Sequence, residues 1–189
     1  MKARVITALF AIVLAPWSAH ATITFEGLPD GTSITTQYAG LNFSNAIVFT
    51  AGGLLNELEF PPHSGVNVAS DNGGPINITF TSPVLSFSGY FTYSSPLTLT
   101  GFDTLNNSVV TANSAFSSNF VSSGNSPNEF LQLAYAGGLS EVTIAGDPAG
   151  GSFVVDDINF AVAAPDTGST VMLMGIGLAG IGWLRRTRC

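Results

Sequence analysis

The sequence predicts an all-β body, an antiparallel β-sandwich of jelly-roll type, set between two apolar terminal segments. Three observations carry the prediction. Between residues 22 and 162 apolar and polar side chains alternate, and no long 3.6-residue apolar pattern appears. Turn chemistry recurs at short intervals: PDG at 29–31, NGGP at 72–75, NN at 106–107 and GG at 137–138. The chain also holds 14 Phe, which read as supply for a two-layer core rather than as a binding surface.

The strands follow in order. TITFE at 22–26 opens the body, and LNFS at 41–44 and AIVFT at 46–50 come next. VNVA at 66–69 and INITFT at 76–81 are further short alternating runs. VLSFSGYFTY at 84–93 places Leu85, Phe87, Gly89, Phe91 and Tyr93 on one face, with Tyr90 on the other. LTLTGF at 97–102, VVTA at 109–112, FLQLAY at 130–135, LSEVTIA at 139–145 and FVVDDINF at 153–160 complete the set. Residues 116–128 form the longest polar loop.

Charge is distributed just as unevenly. All 5 Lys and Arg lie at the ends, as Lys2, Arg4, Arg185, Arg186 and Arg188. Of the 12 acidic residues one, Asp166, lies in the tail, which leaves 11 carboxylates in a body without a basic side chain other than His63. Such a body cannot neutralise phosphates, so nucleic-acid binding is excluded. It favours divalent cations or neutral glycans over anionic polymers. The single cysteine, Cys189, is the last residue, so the body has neither a disulfide nor a thiol nucleophile.

The ends read as addresses. Lys2 and Arg4 precede the apolar run VITALFAIVL, and Ala19-His20-Ala21 offers small residues at the positions a signal peptidase reads. Residues 1–21 are therefore a signal peptide, 22–162 the β-sandwich domain and 163–189 a sorting and anchor segment. In the last, Pro165, Asp166, Thr167 and Gly168 precede the 14-residue run VMLMGIGLAGIGWL, and Arg185, Arg186 and Arg188 close the chain. That run spans about 21 Å as a helix, short against a hydrocarbon core of roughly 30 Å. The arginines hold its end on the cytoplasmic side.

This order of features resembles the PEP-CTERM class of bacterial sorting signals, most nearly its VPDSG-type variant. Pro165, Asp166 and Gly168 match that variant, while Ala164 stands in place of valine and Thr167 in place of serine. The resemblance implies recognition and cleavage near the Pro motif by an exosortase-type transpeptidase. It also implies a transient membrane anchor, then release to the cell surface or exopolysaccharide matrix. The role expected is structural or adhesive, without catalysis. A carbohydrate-binding module is the alternative, and a polysaccharide hydrolase the third reading.

Within the body, Phe25-Glu26-Gly27 and Val155-Asp156-Asp157-Ile158 resemble the terminal strands of jelly-roll, galactose-binding-like modules. The resemblance implies that these strands lie side by side and that Glu26 and Asp156, with Asp157 as alternative, hold a structural calcium. Strand alternation puts Asp156 on the face of Val154, Ile158 and Phe160, where with no Lys or Arg present it needs a metal or backbone N–H groups. The alternative is an Asp pair at a sheet edge, hydrogen-bonded to a neighbouring loop. Glu57, Glu59 and His63 form a second acid–His neighbourhood, in which Pro61-Pro62-His63 reads as a rigid turn with an exposed imidazole. Tyr38 and Tyr90 are the candidates for glycan contact.

Overall fold

The computed structural model describes residues 20–162. The expected signal peptide up to residue 19, the sorting motif and the apolar C-terminal run lie outside these residues. Two long strands organise the body: β6 (Ile76–Tyr93) and β9 (Glu129–Ala145). The sequence divides each into two, at Ser82-Pro83 and at Gly137-Gly138. Both are instead continuous strands with an irregular bend, where pairing breaks between Thr79 and Val84 on β6. The two interruptions face one another. A Cβ on Gly138, whose φ is +88°, would lie 2.8 Å from Cβ of Pro83, so glycine is required where the bends cross.

The bends carry each long strand from one layer to the other. The first half of β6 lies between β3 (Leu41–Ser44) and the second half of β9, followed outward by β7 (Thr98–Phe102) and β8 (Ser108–Asn113). Its second half lies between the first half of β9 and β10 (Phe153–Val162). Beyond β10 come β5 (Asn67–Asp71), β4 (Ala46–Thr50) and β2 (Ser33–Ile34), while β1 (His20–Ile23) pairs with the far half of β10. All these pairings are antiparallel. Among the described residues the other regular element is one 3-10 turn, Val121–Ser123, and no helix is long and apolar enough to cross a membrane.

Cross-strand rows fill the core. Phe43, Ile78 and Val142 form one row, and Val48, Ala69, Val155 and Phe91 form another. All seven are buried within a single cluster that draws on both layers. A smaller cluster of Leu55, Val68 and Val154 lies apart from it, with Phe49 and Phe60 packed around it.

Three expectations require correction. The first strand stops at Ile23, because Phe25 turns into the core with φ +60° and Glu26 lies in the turn that follows. In 84–93 the core positions are Val84, Phe87, Phe91 and Tyr93, not Leu85, because the irregularity between Val84 and Ser86 shifts the alternation by one residue. In β10 another bulge lies between Asp156 and Asn159. Val154 therefore joins the smaller cluster and Ile158 the main one, so Asp156 does not share a face with Ile158.

Candidate functional site

The β10 bulge is where the singled-out carboxylates come to bear. Asp157 adopts φ +48°, a left-handed conformation that costs energy for a residue with a Cβ. Its own N–H donates to Asp156 Oδ1 at 2.7 Å. That turn aims two consecutive acidic side chains at one segment, residues 63–67. Asp156 Oδ2 accepts from Ser64 N–H at 2.8 Å, Asp157 Oδ1 from Ser64 Oγ at 2.8 Å, and Asp157 Oδ2 lies 2.6 Å from His63 Nδ1. Glu26 reaches the same segment from the other side, its Oε1 accepting from Val66 N–H at 2.7 Å and Asn67 N–H at 2.9 Å. Gly65 has no room for a side chain here, since a Cβ would sit 2.1 Å from Glu26 Oε1.

Glu26, Asp156 and Asp157 thus meet around one loop, whose donors engage four of their six oxygens, while the Asp157 N–H engages Asp156 Oδ1. Calcium wants six to eight oxygen ligands. Among the described residues no group of three or more His, Cys, Asp or Glu side chains is gathered to hold a metal. The donor set fits capture of a backbone segment.

Asp156 is 1% exposed. Burial pushes its carboxyl up to about 6, against the opposing pull of the Ser64 and Asp157 N–H groups; nearby Asp157 pushes the same way as burial. The sign for stability follows from linkage. A carboxyl whose folded pKa lies above its unfolded one binds protons more tightly when folded. Its contribution is complete below the ordinary carboxylate range and is lost as pH rises through about 6. Denaturation midpoints are therefore expected to fall between about pH 4 and pH 6.5, and Asp156→Asn to flatten that slope. An unchanged slope in Asp156→Asn would assign it to another group.

His63 is not a plain exposed turn residue. Its ring stacks on Tyr90 with centroids 3.5 Å apart and planes at 7°, while Asp157 holds its Nδ1. Ser64 Oγ donates to the same aspartate. Serine and histidine thus both turn to Asp157, which is not the relay of a hydrolytic triad. Glu59 lies elsewhere, accepting from Ser122 N–H at 2.8 Å.

The glycan candidates separate. Tyr38 packs half-buried against the core: its ring meets Phe25 edge-on at 5.9 Å and Phe43 at 6.1 Å. Its hydroxyl is buried without a hydrogen-bond partner among the described residues. Burial, then the charge of Glu26, raises its pKa. The hydroxyl of Tyr38 is thereby turned away from solvent, although its ring is half-buried. Tyr90 stands on the outer face, between His63 and Phe130, whose ring is 5.3 Å away. Phe130 is 49% exposed and was missed by the sequence reading. Its signal lies in FLQLAY, where Leu131 and Leu133 are buried and Phe130 shares the exposed phase of Gln132.

The fold is similar to that of the K2 cleaved adhesin domain of Lys-gingipain, with a TM-score of 0.50 and 14% identity over 75% of this chain and 99% of that one. Lesser likenesses are to the K1 cleaved adhesin domain of Lys-gingipain from Porphyromonas gingivalis W83 (TM-score 0.46, 9% identity, 77% of this chain and 99% of that one) and to the CBM22-1 xylan-binding domain from Paenibacillus barcinonensis Xyn10C (TM-score 0.43, 16% identity, 80% and 100%). At these identities the likeness is one of fold, and it places the body among β-sandwiches. No protein of curated function matches the chain. The C-terminal segment, read on sequence, is specific: residues 165–188 match the VPDSG-CTERM motif, and the chain carries that sorting signal.

Proposed function

We propose that this is an exported protein of the cell surface or exopolysaccharide matrix, sorted by an exosortase-type system and structural or adhesive in role. The observation that carries the reading is the sorting motif at 165–188. The signal-peptide pattern at the other end supports it, as does a body without cysteine, lysine or arginine. Nine of the 11 body carboxylates accept hydrogen bonds from the described residues: Glu26, Asp30, Glu59, Asp71, Asp103, Glu129, Asp147, Asp156 and Asp157.

Intact-mass measurement on protein extracted from the surface of an exosortase-containing cell tests the sorting. The mature chain is expected to begin at Thr22 and to lack everything after about Thr170. Retention of Cys189 would mean a plain membrane anchor. A second reading, a non-catalytic carbohydrate-binding module, is favoured by the exposed Phe130 beside Tyr90 on the outer sheet face.

A further inference from the structure

We infer that the outer face of β1–β10–β6–β9 is a binding site for a neutral polysaccharide strand, with Phe130 and Gln132 as its main contacts. The inference rests on the carbohydrate-binding reading and supplies it with a location and a ligand class.

The register builds the site. One row across the sheet pairs Asp156 with Tyr90 and Tyr90 with Phe130, and His63 stacks on the near side of Tyr90. The next outward-facing row runs Thr22, Asn159, Ser88 and Gln132, one residue from each of the four strands. The row after that is His20, Ala161, Ser86 and Ala134, the last three small. Rows on one face lie about 6.8 Å apart, and four strands span about 14 Å. An aromatic edge therefore borders a row of hydroxyls and amides; Ser88 and, in the row beyond, Ala161 are covered at 7% exposure each, while Gln132 and Ala134 on β9 are exposed.

The parts differ in their availability. His63 covers one face of Tyr90, so Phe130 supplies the open ring. Asn159 is engaged on both sides, accepting from Thr22 Oγ1 and donating to the Asp157 carbonyl at 2.9 Å. Gln132 is exposed and makes no hydrogen bond within the described residues, so its amide can both donate and accept. Sugar rings offer an apolar C–H face for an aromatic ring and hydroxyls for such a ladder. The body holds no Lys or Arg to attract a uronate or sulfate, and buried Asp156 and half-buried Asp157 border the aromatic row. Charge thus selects a neutral strand over an anionic one.

The test is affinity electrophoresis and calorimetry of the surface-extracted protein. The neutral probes are mannan, dextran and cellohexaose, the anionic ones alginate and polygalacturonate, all in low-salt buffer containing EDTA. The expected result is binding to at least one neutral probe, weakened about tenfold or more by Phe130→Ala and by Gln132→Ala. Leu58→Ala, 79% exposed on the 51–66 loop, should bind as wild type. Neutral-probe binding that survives both face substitutions would overturn this location and leave the carbohydrate-binding reading standing. Failure to bind any probe would overturn both. Binding confined to alginate or polygalacturonate would overturn the selection of a neutral strand by charge described here.

Discussion

Asp71→Ala is expected to destabilise the body by about 4 kcal/mol, the loss of three hydrogen bonds to a buried charge. Asp71 ends β5 and is 2% exposed. Its Oδ1 accepts from Ser152 N–H at 2.9 Å and from Phe153 N–H at 3.0 Å, and its Oδ2 from Ser152 Oγ at 2.9 Å. Together these bonds hold the turn before β10 against the end of β5. Removing the carboxylate leaves two backbone N–H groups with no acceptor where water does not reach. Each such group costs roughly 1–3 kcal/mol, so the sum is a large share of a typical domain stability of 5–15 kcal/mol. Asp71→Asn keeps one acceptor oxygen and should cost much less. Urea denaturation with an unchanged m-value is the measurement. A loss below about 1 kcal/mol in Asp71→Ala would mean that the turn finds other acceptors.

Phe87→Ala is expected to cost about 3–5 kcal/mol through the cavity it leaves. Phe87 is fully buried on the core side of β6, where its cross-strand neighbours are Phe160 and Leu133. Its ring lies 6.4 Å from that of Phe80, nearly edge-on at 65°. Phe80 belongs to the part of β6 before the bend, so the pair joins the two halves of one strand across the core. For a domain of this size the melting temperature should fall by roughly 10–15 °C. Phe130→Ala is the matched control, since that ring is 49% exposed and its loss opens no cavity. Equal melting shifts for the two would contradict the assignment of Phe87 to the core and Phe130 to the outer face.

Local chemistry accounts for much of what the sequence determined. Period-two alternation and turn residues specify short strands wherever they occur, so β3, β4, β7 and β8 lie within a residue of their predicted positions. The signals at the two ends depend on the order of charge and hydrophobicity along the chain, which no folding alters. The all-β class follows from the same local pattern, because no segment of the body offers a helix an apolar stripe.

Tertiary structure decided the rest, and it did so at bulges. A bulge inserts one residue and inverts the faces beyond it, a change that alternation cannot register. Hence Val84 rather than Leu85 faces the core, Asp156 parts from Ile158, and Ser82-Pro83 bends a strand that it was expected to end. The contacts around residues 63–67 come from Glu26 and from Asp156 and Asp157, partners 40 and more residues away in the chain. Phe130 stands exposed while the Tyr38 hydroxyl is buried for a similar reason. Burial of an aromatic ring depends on whether another layer covers it, and only long-range pairing supplies that layer.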